Sequence, residues 1–528
     1  VGKIEYFTGR DRISVSVFDK VVFVVLVIIA IQSSLYFADY WFFGDHRKNI
    51  ILFIILSYVV FRNMFRSIIS WFFFMFISIP VNRKHSSGYT VDVLTTAMPG
   101  EPFDMFKRTL TAIAAIKYPH NTYLLDGGND PALRALCEEL TISHVNCQGI
   151  TGAKGGKINY CLQNYAKSDL VMIIDPDHIP QTDFLDRVVD CFDDEKVGFV
   201  QVVQPYYNRN ESDIAYGAAE QGFGFYGPLQ MGLDGLGMSI AIGANCTFRR
   251  KALDSIKGHA IHLAEDACTS LRLHAEGWMS RYVPYRASYG IVPADIQTFF
   301  KQQIKWAAGM FELFTGELPK VFSKLNFHQK IYYSFAGTYY LNGIATLLSI
   351  LLPILFLFLQ IYAIEMPLSE YLIHLTPYVI SSLAITFYLQ KWYSSREERG
   401  FPWRSLMLEK GSWFIFTMAF FSLFTRKKIT YIPTPKTKST SVNPWIYLPS
   451  SIAVILSASA ILFSLTTYHR IDHGTMLMIF FASLNIITLI PSIIWSFNPS
   501  LFKNNSVYPD DEILPDKYSE LTQEKLHV

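Results

Sequence analysis

Apolar residues in this chain gather into long unbroken runs toward both ends and into short runs between them. The long runs lie near 20–43, 49–79, 337–361, 370–390, 445–466 and 474–497. Each approaches or exceeds the roughly 20 residues needed to cross a bilayer, so the pattern predicts six membrane-spanning helices. Arg62 and Arg66 interrupt the second run and must reach the interface, find partners or line a polar path. Between about 84 and 330 strand-like runs alternate with helical stretches, which predicts an α/β domain inserted between the second and third spans. Tyr89 to Thr96 reads as a first strand, Asp104 to Ile116 as a helix, Thr122 to Leu125 as a second strand and Leu170 to Ile174 as a third. Each strand runs into an acidic or Gly/Pro-containing loop, and open parallel sheets bind ligands beyond the carboxyl ends of their strands. Residues 403–424 join a charged end (Arg404, Glu409, Lys410) to an apolar stretch too short to span, and read as one interfacial helix.

Composition sharpens this picture. Of the 528 residues 51% are hydrophobic and 15% aromatic, a membrane-protein balance with a soluble part. The net charge of +2 shows no basic excess of the kind that gathers nucleic acid, so no nucleic-acid partner is expected. Cys137, Cys147, Cys161, Cys191, Cys246 and Cys268 all fall in the long non-spanning stretch without CxxC spacing, which suits a reducing, cytoplasmic setting. Lys3, Arg10, Arg12 and Lys20 before the first span place the N-terminus inside, and an even span count returns the C-terminus there. The first run is too long for a cleaved signal peptide. The expected organisation is a two-span region at 1–83, a cytoplasmic α/β domain at 84–330, a four-span region with the interfacial helix and a basic loop at 331–500, and a polar tail at 501–528.

Several short segments could carry chemistry. Ile173-Ile174-Asp175-Pro176-Asp177 ends a buried-type strand in two carboxylates, which suit a hard divalent cation that also grips phosphates; alone it reads equally as an acidic turn. Leu125-Asp126-Gly127-Gly128 puts another carboxylate on the same sheet edge. Lys154-Gly-Gly-Lys157-Ile-Asn159 reads as a cationic, glycine-containing loop before a helix and offers contacts to phosphate oxygens. Ala264-Glu265-Asp266 opens a helical stretch capped by Gly277, where acidic residues either complement the helix dipole or supply a general base. Gln302-Gln303-Ile304-Lys305-Trp306 lies on an amphipathic helix whose tryptophan suits a membrane interface or a sugar face.

In this order the segments resemble the processive family 2 glycosyltransferases, the cellulose, chitin and hyaluronan synthases and their β-glucan relatives. The family pattern is Asp, DxD, TED and QxxRW, matched here by Asp126, Asp175-Pro-Asp177, Ala264-Glu265-Asp266 and Gln302-Gln-Ile-Lys305-Trp306. Lys154 to Asn159 is similar to the family's KAGALN, Ile242-Gly243-Ala244-Asn245 to its GT/GS segment, and Tyr431-Ile-Pro-Thr434-Pro-Lys436 to the gating loop FxVTxK. The resemblance covers roughly residues 20 to 500 and implies a GT-A-type, Rossmann-like α/β domain inserted in a helical transmembrane channel.

It further implies that Thr95, Glu101 and Asp126 hold the uridine of a UDP-sugar, and that Asp177 and Asp175 bind Mg²⁺ or Mn²⁺ on its diphosphate with Lys154 nearby. Asp266 beside Glu265 would take the proton of the acceptor hydroxyl, and Gln302 and Lys305 would help position the acceptor and the donor's diphosphate. Trp306, Gly243 and Asn245 would meet the growing polysaccharide, and Tyr431, Thr434 and Lys436 would close over the nucleotide. The implied partners are the UDP-sugar, the polymer and the lipid bilayer, with accessory subunits or a homo-oligomer left open. The implied location is the cell membrane. Ala264 replaces the family's Thr, Lys305 its Arg, and Met98-Pro99-Gly100-Glu101 its YNE, changes that point to a linkage such as β-1,3 or mixed. UDP-glucose is the expected donor and UDP-GlcNAc the next. No PilZ-type arginine motif is present, so direct control by cyclic di-GMP is not expected. Competing readings are a chitin- or hyaluronan-type synthase, a non-processive lipid glycosyltransferase, and an inactive channel or assembly subunit.

Overall fold

In a computed structural model, which describes residues 15–78, 88–393, 398–425, 443–468 and 471–501, the short apolar runs pair into one sheet. Its strands are β1 (Val91–Ala97), β2 (Asn121–Asp126), β3 (Ser143–Asn146), β4 (Leu170–Ile174), β6 (Val197–Val202), β7 (Asn245–Arg249) and β8 (Met279–Val283), while β5 (Ile179–Pro180) and β9 (Ser288–Tyr289) form a separate two-stranded ladder. The order is β3-β2-β1-β4-β7-β6-β8, with β1 to β4 parallel and β7 antiparallel to both its neighbours. β1 and β4 are buried along their whole length, as strands of a sheet covered on both faces must be. Their side chains divide by alternation: Val91, Val93, Leu170, Met172 and Ile174 enter one core with the helix Phe103–Ala114. Leu94, Val171 and Ile173 enter the other with the helix Ala153–Asn164. The registers Ala97↔Asp126 and Ile174↔Asn245 align the ends of β1, β2 and β4 with the start of β7.

Six helices are long and apolar enough to cross a membrane, among the described residues: Val17–Phe43, Ile50–Phe74, Phe327–Leu359, Leu368–Gln390, Pro444–Thr467 and His473–Phe497. The third starts ten residues before the expected 337 and is interrupted by a tighter turn at Tyr339–Leu341. That interruption frees backbone carbonyls, and Arg62 takes them, donating to Thr338 O at 3.0 Å, Tyr339 O at 2.7 Å and Asn342 Oδ1 at 3.1 Å. Arg66 lies 4.4 Å above the Phe335 ring. Both arginines are therefore paired within the helix bundle.

The expected single helix over 403–424 is two, Trp403–Gly411 and Trp413–Ser422. Gly411 packs so closely on Ser492 that a Cβ there would lie 2.5 Å from it, and the chain turns at Ser412 to satisfy both neighbours. The first piece docks on the α/β domain through Arg404 Nε and Asp213 Oδ1 at 2.8 Å, and the second packs against the helix Ile296–Glu312. Tyr431, Thr434 and Lys436 of the expected gating loop lie outside the described residues. All six cysteines are free thiols.

Candidate active site

The carboxyl end of β4 carries the paired carboxylates. Asp175 N donates to Ala244 O at 2.9 Å, continuing the ladder with β7, and Thr109 Oγ1 pins the turn by donating to Pro176 O at 2.7 Å. Asp177 and His178 are 5% and 2% exposed, with His178 Nδ1 3.2 Å from Asp177 Oδ1. Gly290 leaves room for that imidazole, since a Cβ there would fall 2.4 Å from Nε2. Asp175, Asp177 and His178 offer ligand atoms that all lie within 4.8 Å of one another. The two carboxylates fit a hard divalent cation of the Mg²⁺ or Mn²⁺ kind, with the imidazole beside them.

Lys154 and Lys157, expected in a loop, stand in the first turns of the helix Ala153–Asn164. The reason is local: Gly152 adopts a left-handed conformation (φ 91°) and starts the helix before the lysines. Lys154 Nζ donates to Asp175 Oδ1 at 2.5 Å and to Gly243 O at 2.6 Å. Lys157 serves the scaffold instead, donating to Ala97 O at 2.6 Å at the end of β1.

Glu265 and Asp266 form the first turn of the helix Glu265–Ala275. Trp278 N donates to Leu273 O and Gly277 N to His274 O, closing its far end as expected. Gly243, at φ 77°, passes so near Asp266 that a Cβ would lie 3.2 Å from Oδ2. Burial, with the neighbouring Asp266 charge, pushes the Glu265 carboxyl up to about 7 against the opposing pull of Lys154. Burial also raises Asp266 above the usual carboxylate range, although the Ala267 N–H it accepts and Lys154 work against the shift. Both carboxyls therefore hold their protons to higher pH than an exposed pair would.

The helix Ile296–Glu312 begins at Asp295, whose side chain caps Thr298 N. Gln302, Lys305 and Trp306 fall at i, i+3 and i+4 and so share one face. Gly309 brings that helix against the residues preceding the acidic pair, where a Cβ would come within 2.9 Å of Ala264 N.

These groups open onto one cavity of about 800 Å³. Glu101, Lys154, Asp175, Asp177, Gly243, Glu265 and Asp266 line it, as do Gln302, Lys305 and Trp306. It continues to Arg66, Ser70 and Phe74 in the second span and to Tyr332, Phe335 and Tyr339 at the start of the third. Tyr206, Tyr207, Tyr226 and Phe299 add an aromatic wall that sequence reasoning missed. Aromatic residues are abundant throughout this chain, so only their convergence in space sets these apart.

Three expected contacts are corrected. Asn245 is fully buried behind the wall: its Oδ1 accepts from Gln201 Nε2 at 2.5 Å, and its Nδ2 donates to Val203 O and Ser288 Oγ. It braces Gln201, whose Oε1 accepts from Ile242 N at 2.9 Å, and has no group left for an acceptor. Thr95 is 1% exposed on the buried strand β1, with its hydroxyl turned inward. Asp126, also 1% exposed, accepts from Gly128 N, Asp130 N and His144 Nε2 at 2.7, 2.6 and 3.0 Å. Burial would raise its carboxyl, but these hydrogen bonds prevail and hold it below the usual range. It organises the loop after β2 rather than lining the cavity.

Comparison with known proteins bears on the chemistry. The pattern of the family "Glycosyl transferase family group 2" matches residues 170–468, more than half of the chain. The catalytic subunit of a UDP-forming cellulose synthase from Komagataeibacter sucrofermentans is 28% identical over 51% of this chain and 37% of its own length. Cellulose synthase 2 from Novacetimonas hansenii is 27% identical over 58% of this chain and 20% of its own. The chain thus aligns with well under half of these curated relatives. Among solved structures, a mannosyltransferase from Pyrobaculum calidifontis in complex with GDP-Man and Mn²⁺ superposes with a TM-score of 0.47 and 15% identity, over 71% of this chain and all of its own.

Proposed function

The chain belongs to the glycosyl transferase family group 2, and from that membership we propose that it is a membrane-embedded, inverting transferase that builds a β-linked polysaccharide from a UDP-sugar and translocates it across the membrane. The observation that carries this reading is the single cavity in which Asp175, Asp177, Glu265, Asp266 and Trp306 meet, and which continues to the second and third spans. A transferase acting on a soluble acceptor has no need of a cavity leading between membrane helices.

In this reading Asp175, Asp177 and His178 hold Mg²⁺ or Mn²⁺, which when bound neutralises charge on the departing UDP. Lys154 and Lys305 add positive charge on the diphosphate side, and Glu101 lies toward the uridine. Asp266 accepts the proton of the acceptor hydroxyl as its oxygen attacks C1 of the sugar from the face opposite UDP. One displacement inverts the anomeric centre, so an α-linked donor yields a β-linkage. Burial raises the basicity of Asp266, and Trp306, 41% exposed in the cavity, offers an indole face for the acceptor's terminal sugar. The donor best supported by the cellulose synthase relatives is UDP-glucose. Ala264 and Lys305, where those enzymes' family pattern has Thr and Arg, favour a β-1,3 or mixed linkage. The soluble domain faces the cytoplasm, where UDP-sugars are made.

Purified protein in detergent, given Mg²⁺ or Mn²⁺ and UDP-glucose, UDP-GlcNAc or UDP-glucuronate, should release UDP and form glycosidase-digestible polymer from one donor. Asp266→Asn should abolish both. UDP release without polymer would replace this reading with a non-processive transferase, and no turnover with any donor would replace it with an inactive assembly subunit.

A further inference from the structure

Lys154 already occupies one of the carboxylates assigned above to the metal. Its ammonium donates to Asp175 Oδ1 at 2.5 Å and to Gly243 O at 2.6 Å, and the side chain is 8% exposed. These partners are fixed relative to one another, because Asp175 N donates to the carbonyl of Ala244, the residue after Gly243. A lysine held this way, from the first turn of a helix and by two acceptors, is part of the cavity floor and not a mobile surface cation. Asp175, Asp177 and His178 bring their ligand atoms within 4.8 Å of one another. A divalent cation among them would therefore share Asp175 with the ammonium. Like charges at such a separation repel strongly where little water screens them. A diphosphate reverses the balance, since its negative oxygens can accept from the ammonium and bind the cation together.

We propose that Lys154 makes metal and nucleotide binding mutually dependent. In the free protein its ammonium competes with the cation for Asp175; when the diphosphate enters, the ammonium moves to a phosphate oxygen and releases Asp175 to the cation. The inference rests on the reading of Asp175 and Asp177 as metal ligands. It gives the site a reason to stay unloaded until donor arrives, and thermodynamic linkage requires that each ligand raise the other's affinity by the same factor.

The test measures Mn²⁺ binding to the full chain in detergent from the electron paramagnetic resonance signal of free Mn²⁺, with and without UDP, correcting for Mn²⁺ held by UDP in solution. The wild type should bind Mn²⁺ weakly alone and about tenfold or more tightly with saturating UDP. Lys154→Met should bind Mn²⁺ alone more tightly than the wild type, bind UDP alone less tightly, and show weaker coupling, keeping only the part that the cation makes directly with the diphosphate. Asp177→Asn should lose Mn²⁺ under every condition. If UDP leaves the wild-type affinity unchanged, or Lys154→Met keeps both the weak affinity and the full coupling, the proposal is overturned while the ligand assignment stands. If the wild type binds no Mn²⁺ even with UDP, or Asp177→Asn binds it normally, the ligand assignment falls and this inference with it.

Discussion

Asp266 and Glu265 are adjacent in sequence, and what matters about them is the cavity they face. A solvated acidic pair at a helix start would ionise near pH 4; enclosed here, Glu265 is pushed up to about 7 and Asp266 also upward. Asp266 accepts a proton only when ionised, so activity should be full above the raised range and fall as the pH drops through it. The kcat profile should show an acid limb above the usual carboxylate range. Glu265→Gln removes the carboxyl that burial and the Asp266 charge push up to about 7, and a limb set by Asp266 should persist in this variant. Loss of the limb would show that Glu265 sets it. The same scale shows the limits of motif reading. Asp126 stands where a motif puts it, yet three hydrogen bonds and burial turn it to loop building. Lys157 looks equivalent to Lys154 in sequence, but one turn of helix aims it at Ala97 O.

Between elements, a buried ionic cluster ties the soluble domain to the segment after the fourth span. Glu398, with a side chain 2% exposed, accepts from Arg209 and also from Arg286 Nη2 at 2.6 Å. Arg404 Nε meets Asp213 close by, and Asp213 N donates to Pro499 O after the last span. Removing one member of a buried pair leaves charge without its partner, at a cost of about 3 kcal/mol or more. Glu398→Ala should accordingly lower the thermal midpoint in detergent well beyond an exposed control such as Lys324→Ala, whose partner Glu276 is at the surface. Equal midpoints would mean that the cluster contributes nothing to docking. Element types were legible because their causes are local: β1, β2 and β4 alternate into two cores, and helices start at Asn49, Asp295 and Asp472 with side-chain caps. The break at Ser412 was not, because close packing of Gly411 on Ser492 is a contact across 81 positions of the chain.

At the scale of the whole molecule, the cavity joins the clustered carboxylates to the long apolar helices, and this continuity predicts separable failures. Ser70 lines the cavity within the second span, far in sequence from the acidic pair. Ser70→Trp should fill the passage without touching Asp175, Asp177 or Asp266, so slow donor hydrolysis should persist while polymer shortens or disappears. Polymer of normal length from this variant would place the product's path elsewhere. The sequence by itself determined the six apolar helices, the α/β character of the middle region and the residues able to carry chemistry, because hydropathy, alternation and functional-group type are properties of short stretches. Only the tertiary structure decided which of those residues work together. It buried Thr95, Asp126 and Asn245, put Lys154 on Asp175, gave Arg62 the carbonyls freed at Thr338 and Tyr339, and gathered aromatic side chains from distant segments into one wall. The orientation and solvation of each side chain are set by neighbours remote in the chain, and no window of sequence contains them.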